Sequence, residues 1–211
     1  MTNKQLKNLK DTLWTTADQL RANSGLKSTE YAEPILGLIF LRFADVKYSK
    51  FEPEIKAEFN STKGTRMERP IHEIAIEKCG FYLPEEARYD WLLNLPESED
   101  LAKKVKEAME AVEKYTAELE DTLPKDIYYS VNSEDDPLVL EKLLKNFKDI
   151  PADVELDIFG EIYEYFLGEF ALAEGQGGGE FFTPASVVRY MVEVLAPTEG
   201  RILDPACGSG G

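Results

Sequence analysis

The segment with the clearest chemical content is residues 201–211, which read Arg-Ile-Leu-Asp-Pro-Ala-Cys-Gly-Ser-Gly-Gly. Arg201-Ile202-Leu203 predicts a short strand that runs directly into a glycine-rich loop. Glycines at 208 and 210 let a backbone turn sharply and approach a ligand with no Cβ in the way. In an open parallel sheet such a loop lies at the carboxyl end of its strand, where ligands bind. Asp204, Gly208, Ser209, Gly210 and Gly211 are therefore candidate ligand contacts. The loop is not a phosphate loop of the Walker type, because no Gly-Lys-Ser/Thr occurs in it.

A second candidate lies just upstream. Glu180, Phe181, Phe182, Thr183, Pro184 and Ala185 follow the breaker cluster Gly175-Gln176-Gly177-Gly178-Gly179. Thr183 and Pro184 suit the N-cap and first position of a helix. On the plain reading two aromatics pack and a threonine caps; on the functional one the same cap sets backbone N–H groups beside a ligand. Gly177 to Gly179 read equally as a hinge.

Other reactive residue types carry less. Cys207 sits inside the loop with no histidine near it in sequence, so it reads as a small packing residue rather than a nucleophile. His72 is the single histidine and reads as structural or surface. Two distant cysteines, Cys79 and Cys207, make no disulfide framework, and with one histidine they make no zinc site of ordinary spacing. No metal site and no catalytic residue are assigned.

The elements that must position these residues are mostly helices. Leu6, Leu9, Leu13, Ala17 and Leu20 form one stripe ending near Asn23-Ser24-Gly25. From Pro34 to Val46 the chain is apolar on nearly every face, which predicts a buried central helix. Residues 51–97 look less regular, with Phe81, Tyr82, Tyr89 and Trp91 pinning short helices to the core. Ser98 looks like an N-cap for a long helix carrying Leu101, Val105, Ala108, Val112, Tyr115 and Leu119, stopped before Pro124. Leu140, Leu143, Leu144 and Phe147 mark another helix, and residues 156–173 a further one. After Pro184, Val187, Val188, Met191, Val194 and Leu195 predict the buried face of a last helix closed by Pro197.

Composition bounds the rest. The chain has 211 residues, 43% of them hydrophobic, so it holds a packed core despite a net charge of −16. Residues 1–50 carry 8 basic and 5 acidic side chains, whereas residues 51–150 carry 14 and 24. Phosphate affinity comes mainly from Lys and Arg, so an acidic chain is a poor free-standing DNA binder. Lys4, Lys7, Lys10 and Arg21 are the cations placed to approach phosphate. The longest apolar run, residues 34–41, is far short of the roughly 20 residues of a membrane span, and no secretory signal is visible. A soluble cytoplasmic protein is expected.

With these motifs in place, a resemblance emerges. Leu203 to Gly211 is similar to the S-adenosylmethionine motif I of amino-methyltransferases acting on DNA adenine, and Gly178 to Pro184 to the motif placed just before it. Leu13-Trp14, residues 17–21, residues 35–43, Pro84-Glu85-Glu86-Ala87-Arg88 and residues 158–167 resemble blocks of the modification (M) subunit of type I restriction-modification systems. The blocks run in the family's order over essentially the whole chain.

The resemblance implies an enzyme that transfers methyl from S-adenosyl-L-methionine to N6 of adenine in DNA, the target base being flipped from the duplex. It implies as partners a specificity (S) subunit, a restriction (R) subunit, a second M subunit and DNA within the complex. It gives Glu180 to Ala185, Asp204 and Gly208 to Gly211 to the cofactor. The family's Asn/Asp-Pro-Pro-aromatic catalytic motif is absent, since no Pro-Pro dipeptide occurs. The chain by itself is therefore expected to be inactive and to bind cofactor weakly or not at all.

The expected fold is mainly α: a helical N-terminal domain over 1–174, then at 175–211 the first helix, strand and loop of a Rossmann-like α/β methyltransferase domain. The alternative is a non-catalytic helical module that contacts the specificity and restriction subunits or clamps DNA.

Overall fold

The structure is a computed structural model that describes residues 2–27, 30–96, 98–151, 156–173, 183, 185–196, 198–201 and 203. The described residues form eight α-helices and three short 3-10 turns, and none of them is in a strand. The chain divides into two compact units, residues 1–164 and 165–211.

In the first unit, α1 (Asn3–Arg21) opens with a capping box: Thr2 Oγ1 accepts from Gln5 N at 3.3 Å, and Gln5 Oε1 accepts from Thr2 N at 2.8 Å. α2 (Ala32–Thr62) is the central helix, with Ile35, Leu38, Ile39, Leu41, Ala44 and Val46 buried. It extends well past the apolar run, through residues expected to be irregular. Pro53 is tolerated in it because both Pro53 and Ser49, whose carbonyl loses its usual helical donor, are exposed to water.

Around α2 lie α3 (Ile71–Cys79), α4 (Tyr89–Leu93), α5 (Leu101–Glu113) and α6 (Val139–Lys148). α3 stops at Gly80, whose φ of +91° a side chain would oppose. Tie points between elements are buried polar side chains aimed at backbone. Tyr31 OH donates to Ala17 O at 2.9 Å, Tyr89 OH to Leu144 O at 2.9 Å, and Asn146 Nδ2 to Leu13 O at 3.1 Å. Each removes a hydroxyl or amide from water without leaving it unpaired.

α5 differs from the sequence expectation at both ends. The N-cap of α5 is Asp100 and not Ser98, since the Asp100 carboxylate accepts from Lys103 N at 3.1 Å. α5 also ends at Glu113 rather than running on through Leu119. The chain turns back so that Glu113 Oε1 accepts from Leu123 N at 2.8 Å and Oε2 meets Lys125 Nζ at 2.7 Å. Tyr115, freed from the stripe, stacks on His72 at 4.8 Å and meets Tyr82 edge-on at 5.2 Å.

α7 (Leu156–Ala173) begins in the first unit and ends in the second. In the second unit Phe166 and Phe170 are buried, with ring centroids 6.2 Å apart. α8 (Ala185–Leu195) follows. Its stripe was expected to be buried, yet Val187, Met191, Val194 and Leu195 are exposed. Burial needs an opposing apolar surface, and none of the described residues of the second unit supplies one. Arg201 and Leu203 are likewise not in a strand, because a strand needs a neighbour for its ladder and none is present among the described residues.

Candidate functional site

Of the residues expected to hold a cofactor, Thr183 and Ala185 are described. Thr183 is exposed and Ala185 is the first residue of α8, so the threonine does precede a helix start. Glu180, Phe181, Phe182, Pro184, Asp204, Gly208, Ser209, Gly210 and Gly211 lie outside the described residues. The N–H groups that open a helix are donors suited to an anionic group such as a carboxylate.

The basic excess near the N-terminus is partly neutralised. Lys10 Nζ lies 2.8 Å from Glu161, and Arg21 lies 3.0 Å from Asp18. Lys4 and Lys7 are exposed on α1. Among the described residues no group of His, Cys, Asp and Glu is arranged to hold a metal ion, and no helix is long and apolar enough to cross a membrane.

One partly buried ion-pair network in the first unit is not legible from the sequence motifs. Arg88, just before α4, donates from Nε to Asp45 Oδ1 at 2.6 Å, from Nη1 to Glu52 Oε2 at 2.9 Å and from Nη2 to Ser49 Oγ at 2.8 Å. All three acceptors lie on α2. Asp45 also faces Arg42 Nη1 at 3.5 Å, and Arg42 Nη2 donates to Ile150 O at 2.8 Å, beyond the carbonyl end of α6. A cation there meets the negative end of the helix dipole.

Burial opposes the charge on Arg88, but the hydrogen bonds it donates to Asp45 and Glu52 hold its pKa above the ordinary arginine value. Burial likewise works against the Glu52 carboxylate, and hydrogen bonds from Lys56 and Arg88 nonetheless bring it below the usual range. The signal available in the sequence was the pair Arg42 and Asp45, two charges three residues apart inside an otherwise apolar helix. Charges so placed are buried only when paired.

A cleft of about 650 Å³ opens beside this network, between the middle of α2 and the segment that carries Arg88 and α4. Tyr82 and Trp91 line it, and they are half-buried. The volume is that of a typical ligand pocket.

Comparison with known proteins supplies what geometry alone does not. Residues 9–147 match the family described as HsdM N-terminal domain, and residues 154–211 match the family described as N-6 DNA Methylase. The chain is 36% identical to the Type I restriction enzyme MjaIX methylase subunit of Methanocaldococcus jannaschii, over 94% of this chain and 37% of that protein. It is 35% identical to the Type I restriction enzyme HindI methylase subunit of Haemophilus influenzae, over 67% of this chain and 31% of that one. The Type I restriction enzyme MpnII methylase subunit of Mycoplasma pneumoniae is 25% identical over 94% of this chain and 42% of its own length. The chain thus spans well under half of each of these relatives.

Proposed function

The chain belongs to the HsdM N-terminal domain family, and from that membership we propose that it is the N-terminal part of a type I restriction-modification M subunit. In this reading the complete protein transfers a methyl group from S-adenosyl-L-methionine to N6 of adenine in DNA. The observation that carries it is the order of the two family matches, the helical domain at 9–147 followed directly by the methylase family at 154–211.

The division of labour follows the sequence. Residues 1–174 form the helical domain and 175–211 the start of the methyltransferase domain. Glu180 to Ala185 and Asp204 with Gly208 to Gly211 would hold the cofactor, which when bound supplies an electrophilic methyl group. What supports this is chemical: a glycine loop for close backbone approach, and a threonine leading into a helix start. The chain by itself is expected to be inactive, since it holds no Pro-Pro dipeptide to form the catalytic motif. A specificity subunit, a restriction subunit, a second M subunit and DNA are the proposed partners, in the cytoplasm.

The test uses the complete gene product co-expressed with the specificity subunit of its system. Digests of DNA treated with labelled S-adenosylmethionine should contain labelled N6-methyladenine. Label on another base, or none with a folded complex, would overturn the reading. The 211-residue chain alone should transfer none.

A further inference from the structure

The cleft beside Arg88 has a charge pattern that selects its guest. Asp45, Glu52, Glu85 and Asp90 line it against Lys56 and Arg88, so carboxylates outnumber cations two to one. Arg88 is bonded to Asp45, Glu52 and Ser49, and Lys56 Nζ lies 2.6 Å from Glu52. Both cations are thus already paired with carboxylates, which offsets their attraction for a phosphate. The excess negative charge sits on Glu85 and Asp90 at the rim. Asp90 has a cation at 3.9 Å, Lys148, but the two side chains are 71% and 56% exposed, so water screens that pair.

Apart from Asn94, the remaining wall is apolar and aromatic and includes Ile71, Tyr82, Leu83, Trp91 and Pro96. A guest complementary to both parts carries a cationic head and an apolar flank. Free inorganic cations lack the flank, and nucleic acid carries the wrong charge. The surrounding stretch reinforces the preference, since residues 51–150 hold 24 acidic and 14 basic side chains.

We propose that this cleft is a docking groove for a polypeptide segment of a partner protein that presents an arginine or lysine to Glu85 and Asp90 and lays its apolar neighbours against Tyr82 and Trp91. Aromatic faces favour such a segment twice, through apolar contact and through attraction of the cation to the ring. The proposal stands on the groove itself and is independent of the methyl-transfer reading.

The test titrates the 211-residue chain with a short blocked peptide of alternating leucine, arginine and proline, followed by the Trp91 indole N–H signal in nitrogen–proton spectra. Companion titrations use the same peptide with citrulline for arginine, and spermidine. Because the whole chain is acidic, the double variant Glu85→Gln/Asp90→Asn is compared with Glu134→Gln/Asp135→Asn, which removes the same charge from an exposed loop. Unchanged thermal melts establish that both variants are folded.

The arginine peptide should shift the Trp91 signal, and the groove variant should weaken its binding about tenfold while the loop variant changes it less than about twofold. Equal losses in the two variants would show that the overall charge of the chain is responsible and would overturn the proposal. So would equal affinity for the citrulline peptide or spermidine, shifts confined to residues away from the groove, or no binding at about 1 mM peptide.

Discussion

Arg88 Nε and Asp45 Oδ1 lie 2.6 Å apart across 43 residues of sequence, and this contact fixes α4 to the central helix. Asp45 is only 8% exposed and Arg88 22%, so the pair lies largely out of water. It joins the central helix, just past the 35–43 block of the family resemblance, to the Pro84–Arg88 block. Losing one partner of such a contact costs more than half of losing both, because each remaining charge keeps only its secondary charged partner, Glu52 for Arg88 and Arg42 for Asp45.

The Asp45→Asn substitution is therefore expected to destabilise the helical unit by about 3 kcal/mol. Arg88→Met should cost a comparable amount. The double variant should cost clearly less than the sum of the two, since the direct Asp45–Arg88 contact is lost only once. Urea unfolding followed by circular dichroism measures all three; additive losses would show that the two residues act separately.

Gly37 predicts a substitution whose sign is set by space rather than by helix propensity. A Cβ there would lie 2.3 Å from Tyr128 Oη and 2.5 Å from Pro124 Cγ. Tyr128 is fully buried and a proline ring is rigid, so neither can give way cheaply. Gly37→Ala should destabilise by about 2 kcal/mol, overpacking outweighing the gain in propensity. Gly160, in α7, meets nothing within 4 Å. Gly160→Ala should accordingly stabilise by about 0.5–1 kcal/mol in the same assay.

These contrasts show where sequence pattern stops being informative. Periodicity was enough for α1, α6 and α7, whose apolar stripes recur in phase along their whole length. It failed at the end of α5, because that end is set by Glu113 reaching Leu123 N, ten residues later. It failed again for the face of α8, since a stripe such as Val187, Met191 and Val194 marks which side is apolar but not whether anything covers it. At the candidate cofactor site, the helix after Thr183 was legible from Thr183-Pro184. The Asp45–Arg88 pair was not, because nothing local couples positions so far apart.

The stability of the helical unit should fall with acidity from pH 4.5 downward. Glu52 has a folded pKa below its ordinary value of 4.5, because the hydrogen bonds from Lys56 and Arg88 outweigh the opposing effect of burial. Asp136 lies below its ordinary 3.8 through its hydrogen bond with Lys142. Such groups add stability that is fully present above the unfolded value and is lost as pH falls through the folded one. Glu52→Gln should lower stability at neutral pH and flatten its decline below pH 4.5. Unfolding free energies measured across that range test this, and an unchanged slope in the variant would assign the acid sensitivity to other carboxyls.

Cys79 offers a chemical reading of the same core. Its thiol is buried at the end of α3, within 3.2 Å of Ala75 O and 3.1 Å of Phe81 O. Burial raises its pKa above the ordinary cysteine value, so little thiolate is present near neutral pH and access is poor. In a Cys207→Ser background, an aromatic disulfide reagent should modify Cys79 on the order of a hundredfold more slowly in the native protein than in urea, with opening of the α2–α3 contact limiting the rate. Asp45→Asn should speed the native reaction if opening involves the whole unit. It should leave the rate unchanged if α3 detaches alone, because Asp45 ties α4 and not α3 to the central helix. Rapid modification of the native Cys207→Ser protein would show instead that the α3 terminus is open to solvent.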